Sequence, residues 1–180
     1  SVSRLPDSPG PPFMVLTFDD GYSDFIENAV PILLELGIPV CNNICPCLID
    51  KKTPPWTQVL SACLTSFEGK NLELPDETNF EISKPVDEEM FLELCDHLYL
   101  VGDEDRAEWL DNLAADLEVI LDLYSLMTWD DIRSCIQNGF SIGSHSYTHR
   151  NLSQVKESEV LEIEISFSRQ RILDETGIAP

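Results

Sequence analysis

Phe13-Met14-Val15-Leu16-Thr17-Phe18 is a short, nearly continuous apolar run rich in β formers. Such a run predicts a strand buried on both faces, as in a parallel sheet. It stops at Asp19-Asp20-Gly21, a turn signal. Over residues 22–36 the apolar positions change to helical spacing (Phe25, Ile26, Ala29, Leu33, Leu36), with Pro31 placed to begin the main helix and Gly37 to close it. Ile38-Pro39-Val40-Cys41 then leads into a second strand. Strand, helix and strand within about thirty residues make the βαβ unit of an α/β fold. The proline-rich stretch ahead of it, residues 1–12, reads as an extended lead-in.

Residues 51–126 break this rhythm. Asn71-Leu72-Glu73-Leu74 and Phe80-Glu81-Ile82 flank a polar turn and predict a small hairpin. Amphipathic spacing then predicts helices over 87–100 and 104–123, divided at Gly102-Asp103. From Glu68 to Asp131 there are 20 Asp and Glu against 3 Lys and Arg, a net charge of −17. Most of the acidity of the chain, which is −22 over 180 residues, therefore lies here. The segment reads as a mainly helical, acidic insertion with a solvated outer face, because charge runs normally face water.

The rhythm resumes at Thr128-Trp129-Asp130-Asp131, a capping-box variant, with Asn138-Gly139 as the stop. Phe140-Ser141-Ile142-Gly143-Ser144 predicts a third strand, capped by His145-Ser146-Tyr147-Thr148-His149. A further helix is expected from Asn151-Leu152-Ser153 to about Thr176.

Composition narrows the picture. The 43% hydrophobic content is enough for a real core, which rules out disorder as a description of the whole. An excess of 33 acidic over 11 basic residues repels nucleic acid and anionic headgroups, so neither is an expected partner. There is no apolar stretch of about 18 residues, hence no expected transmembrane helix. The six cysteines lie scattered in apolar segments and show no C-x2-C pattern, so they read as buried free thiols. Unpaired thiols lean towards the cytoplasm, although the chain opens Ser1-Val2-Ser3 without Met and a targeting segment removed ahead of it would go unseen.

Asp19 and Asp20 close one expected strand, and His145 and His149 close another. Open α/β sheets and barrels carry their sites at the carboxyl ends of strands, which puts both groups on one rim. Two neutral imidazoles and a carboxylate are a divalent-metal set that leaves positions open for water and substrate. The same set binds iron in oxygenases, but a spare carboxylate beside it suits hydrolysis better.

Leu16-Thr17-Phe18-Asp19-Asp20-Gly21 and Gly143-Ser144-His145-Ser146-Tyr147-Thr148-His149 together resemble the two leading motifs, T-F-D-D-G and H-[S/T]-x-x-H, of the polysaccharide deacetylase family (carbohydrate esterase family 4). The resemblance covers residues 13–50 and 127–180 of a domain spanning 13–180, with 51–126 inserted. It implies the N-terminal part of a distorted (β/α)7 barrel and metal-dependent removal of N-acetyl or other N-acyl groups from amino sugars of a carbohydrate substrate. It further implies Asp19 as catalytic base, Asp20, His145 and His149 as metal ligands, and Ser146 as a support of the histidine loop. The implied cofactor is a divalent ion, zinc first, with cobalt, nickel or manganese as alternatives.

Some of the family pattern is missing. The arginine that orients the base and the histidine that protonates the leaving amine would follow Pro180, so the 180 residues alone are expected to hold metal but turn over poorly. Asn42 and Asn43 stand where the family has an apolar run, and they are expected to pair with neighbours rather than line the site. His97 matches no motif. A non-catalytic carbohydrate-binding or partner module that kept the fold is the competing reading, with the acidic insertion as its interaction surface. Oligomeric state is not legible.

Overall fold

The computed structural model describes residues 14–121 and 125–180. The expected lead-in, Phe13 and the final residues of the helix expected over 104–123 lie outside the described residues. The chain divides into two compact units, residues 1–53 with 124–180, and residues 54–123.

Along the chain, β1 (Thr17–Asp20) leads through a π-helical turn, Phe25–Ala29, into α1 (Val30–Leu36). Then come β2 (Cys41–Ile44) and α2 (Pro46–Lys51). In the second unit α3 (Trp56–Ser66) precedes the antiparallel pair β3 (Asn71–Glu73) and β4 (Asn79–Glu81), followed by α4 (Glu88–Leu100) and α5 (Asp103–Asp116). The first unit resumes with α6 (Trp129–Gln137), β5 (Ser141–Ser144), α7 (Ser158–Glu162), a π-helical turn Ile163–Phe167, and α8 (Ser168–Thr176). No described helix is long and apolar enough to cross a membrane.

The first unit is a mixed α/β structure around a parallel sheet of order β1-β2-β5. Its register sets rows across the three strands: Thr17, Cys41, Ser141; Phe18, Asn42, Ile142; Asp19, Asn43, Gly143; Asp20, Ile44, Ser144. One face packs Ile44, Ile132, Met127, Phe140 and Ile172 into a common apolar cluster. Burial of each such side chain contributes about 1.5–3 kcal/mol. Thr128 and Asp131 cap α6 reciprocally, the Thr128 side chain accepting from the Asp131 amide and Asp131 accepting from the Thr128 amide. That pairing satisfies two donors which the helix start would leave without partners.

Several expectations are corrected. The run before Asp19 is not buried on both faces: Met14, Val15 and Leu16 are exposed and lie ahead of β1, whose paired neighbour among the described residues is β2. Asp19 and Asp20, by contrast, close β1 as expected, and the turn falls at Gly21. The final helix starts at Ser158, not near 151. Asn151 instead caps a single 3-10 turn by accepting from the Ser153 amide, and Val155 and Glu157 are extended, which interrupts any helix there. The helix expected to reach 123 stops at Asp116, and two short helices that the apolar pattern does not signal, α2 and α3, precede the hairpin.

The second unit has its own core of Leu60, Cys63, Leu64, Leu94 and Leu98. Arg106, 7% exposed, is tolerated in it because its guanidinium stacks 4.6 Å over the Trp56 ring and donates to Leu98 O and Asp103.

Candidate metal centre

The end of β1 and the end of β5 meet on one rim. Asp20 ends its strand with left-handed backbone, φ 70°, and Gly21 follows at φ 86°. A Cβ at Gly21 would stand 3.2 Å from Ile44 Cγ2 and 3.3 Å from Ile49 Cδ1, so both the backbone conformation and the space call for glycine. On the other side His145 N donates to Ile44 O at 2.9 Å, which carries the sheet ladder one residue past β5.

The loop His145–His149 is held from several directions. Ser146 (φ 64°) accepts the His149 amide on its Oγ at 3.1 Å, and His149 is itself at φ 64°. Cys45 donates its thiol to His145 O at 2.9 Å, and Cys47 N donates to Tyr147 O at 3.0 Å. Glu164, 2% exposed, accepts from the amides of Tyr147 (3.0 Å) and Thr148 (2.9 Å) and from the Thr148 hydroxyl. Ser168 donates to Ser146 O at 2.9 Å.

These restraints bring Asp20, His145 and His149 together. Asp20 Oδ1 lies 3.6 Å from His145 Nε2 and 3.2 Å from His149 Nε2. Four ligands about 2.0–2.1 Å from a tetrahedral zinc are separated by roughly 3.3 Å, so the spacing suits such an ion. Two further features fit a cation. Asp20 Oδ1 is shielded from solvent and forms no well-aligned hydrogen bond, although two ring nitrogens face it. The side chains are 40% exposed at His145, 25% at His149 and 18% at Asp20, so the trio is partly open to solvent. The Asp20 carboxylate beside His149 raises that imidazole's pKa, outweighing the opposite effect of burial. No other trio of His, Cys, Asp or Glu among the described residues has ligand atoms so close together.

Asp19 adjoins this trio in the chain, and its Oδ1 accepts from Asn43 Nδ2 at 2.8 Å. Asn43 pairs with neighbours as expected, and since one of them is the expected base it also reaches the site. The same expectation is corrected for Asn42: on the other face of β2 it is fully buried among apolar side chains, and its side-chain N and O have no hydrogen-bond partner. The six cysteines are free, and five are buried. His97 belongs to the second unit and pairs there with Asp76 at 2.8 Å.

Glu164 and Ser168 are not legible in the sequence pattern. Glu164 sits between Ile163 and Ile165 in a segment of helical spacing, yet it is buried while both isoleucines are exposed. The π-helical turn over Ile163–Phe167 inserts one extra residue and rotates the carboxylate inwards, which 3.6-residue periodicity does not reveal.

Taken together, a parallel α/β sheet with two histidines and a carboxylate at the carboxyl ends of its strands defines a class of rim-sited α/β proteins. Within that class, a family model described as polysaccharide deacetylase matches residues 78–180, and the chain belongs to the polysaccharide deacetylase family. The matched stretch contains His145 and His149 and leaves out Asp19 and Asp20. Among solved structures, the chain is similar to the Streptococcus pyogenes deacetylase PplD in complex with acetate, with TM-score 0.51 and 16% identity over 95% of this chain and 44% of that one. The chain thus spans less than half the length of that relative, and the likeness is one of fold. The deacetylase domain of BpsB from Bordetella bronchiseptica gives TM-score 0.45 and 17% identity, covering 92% of this chain and 52% of that one. Comparison with curated protein sequences finds no match.

Proposed function

We propose that this chain carries the metal centre and general base of a metal-dependent carbohydrate N-deacetylase, acting on N-acetyl or other N-acyl groups of amino sugars in a glycan or glycolipid. The observation that carries the reading is the convergence of Asp20 Oδ1 on Nε2 of both His145 and His149, with Asp19 adjacent and uninvolved in that contact. Family membership supplies the substrate class.

Asp20, His145 and His149 are the residues that would hold a divalent cation, zinc by the character of the donor set, with cobalt, nickel or manganese as substitutes. Bound there, such an ion polarises an acyl carbonyl and lowers the pKa of water towards ~7. Asp19 takes the proton of the attacking water, a role worth on the order of 10²–10⁴ in rate. Neighbouring carboxylates can divide these roles because Asp20 leaves the strand alternation through its left-handed backbone, whereas Asp19 stays in its row beside Asn43. Ser146 and Glu164 keep the two imidazoles in place. We read the three parallel strands as part of the family's distorted (β/α)7 barrel, with residues 51–126 as an acidic insertion.

Zinc binding of this chain, and acetate release from an N-acetylglucosamine oligomer by a form of the protein that turns over, each measured with Asp19→Asn and Asp20→Asn, test the assignment. Asp19→Asn is expected to keep zinc affinity and to lose on the order of 10²-fold or more in turnover. Asp20→Asn is expected to lose zinc. Wild-type turnover in Asp19→Asn would remove the base, and wild-type zinc affinity in Asp20→Asn would remove the metal centre.

A further inference from the structure

We propose that Asn43 is a positioning residue for the Asp19 carboxylate, and that Gly143 is glycine because Asn43 occupies the space its side chain would need. The proposal rests on the reading of Asp19 as general base.

Asp19, Asn43 and Gly143 form one row across three adjacent parallel strands, so their side-chain positions share a face of the sheet. Side chains in a row are nearest neighbours across the strands. Asn43 makes two side-chain contacts, one along this row to Asp19 and one along its own strand to Cys41. Its Nδ2 donates to Asp19 Oδ1 at 2.8 Å, and its Oδ1 accepts from Cys41 Sγ at 3.4 Å. The amide orientation follows from chemistry: an ionised carboxylate can only accept, so the NH2 end has to face Asp19. The bond is charge-assisted and of the stronger kind.

The third member of the row makes room for this. A Cβ built on Gly143 would fall 2.1 Å from Asn43 Oδ1 and 3.2 Å from its Cγ. No real side-chain carbon tolerates that distance, so any larger residue at 143 must displace the Asn43 amide. Gly143 is not in the left-handed region, and its backbone conformation alone gives no reason for glycine. Space for Asn43 does. An amide also suits this position chemically, since it donates without carrying a charge that would pair with the carboxylate and compete for it. Fixing a general base within a few tenths of an ångström matters, since a misplacement of about 1 Å can cost on the order of 10²-fold in rate.

Two measurements test this, one without turnover. In nitrogen-15 spectra of the full chain, the Asn43 side-chain amide pair, identified by its loss in Asn43→Ala, is expected to move towards the position of a solvated asparagine in both Asp19→Ala and Gly143→Ala. In acetate-release kinetics, Asn43→Ala and Gly143→Ala are each expected to lower kcat on the order of 10–100-fold with KM and zinc affinity within about twofold. Gly143→Ala is expected to add nothing further in an Asn43→Ala background. An Asn43 amide pair unmoved by Asp19→Ala overturns the proposal. So does an Asn43→Ala loss that follows zinc affinity or melting temperature rather than kcat, or a Gly143→Ala effect that survives in full when Asn43 is gone. Full turnover in Asp19→Asn sinks the function reading instead, and the amide resonances then still decide whether Asn43 holds Asp19.

Discussion

Glu164 accepts two hydrogen bonds from Thr148, one from its backbone amide at 2.9 Å and one from its hydroxyl at 2.5 Å. A third, from the Tyr147 amide at 3.0 Å, completes the set. One buried carboxylate thereby fixes the middle of the loop whose two ends are His145 and His149. Partners that orient metal ligands commonly affect affinity as much as 10–100-fold.

Glu164→Ala would leave three donors without an acceptor, each costing about 1–3 kcal/mol. A loss on the order of 3 kcal/mol is expected in urea denaturation, together with weaker zinc binding. Glu164→Gln keeps an oxygen for the two amides and is expected to cost clearly less on both readings. If both variants bind zinc like the wild type, the clamp does not govern the loop.

Gly21→Ala should destabilise through two separate effects. Left-handed backbone costs an L-residue roughly 1–2 kcal/mol, and contacts at 3.2 and 3.3 Å with Ile44 and Ile49 add crowding. Chemical denaturation is expected to show a loss of about 2 kcal/mol. A change under ~0.5 kcal/mol would mean that the chain relaxes freely beside Asp20.

In the second unit, Thr78 and His97 hold the Asp76 carboxyl down to about 2; the hydroxyl of Thr78, 2.6 Å away, is the larger cause and the His97 ring the next. A carboxyl with a depressed native value contributes stability that is present above its unfolded value of ~3.9 and is lost as pH falls towards 2. Carbon-13 titration should place the Asp76 midpoint near 2, and Thr78→Val should raise it. A midpoint near the unfolded value in the wild type would contradict the contact.

Thr128→Ala removes one half of the reciprocal cap on α6. Losses from such caps run about 0.5–2 kcal/mol. Because α6 carries Ile132 and Cys135 into the first core, the loss should appear in the global transition of that unit rather than as local fraying. Unchanged stability would place the cap outside the cooperative unit.

Much of the site is legible in the sequence because its residues announce strand ends. Asp19-Asp20-Gly21 and the run from Gly143 to His149 each follow an apolar segment of β formers, and parallel topology brings such ends onto one rim. What stays hidden depends on neighbours distant in sequence. Asn43 gains its meaning from the row that places it between Asp19 and Gly143, and single-strand patterning carries no register. Glu164 points inwards through one inserted residue in a helix. Met14, Val15 and Leu16 read as buried on apolar content alone, whereas they stand exposed just ahead of β1.

Asp20, Ser146 and His149 all sit in a backbone region that favours glycine or asparagine. Redesign of this polypeptide for heat resistance alone would replace all three and gain folding free energy while discarding the cluster. Left-handed backbone also occurs at Lys52, Glu77 and Glu118, away from the cluster, so the positions to leave untouched are those where such strain coincides with the Asp20, His145 and His149 grouping.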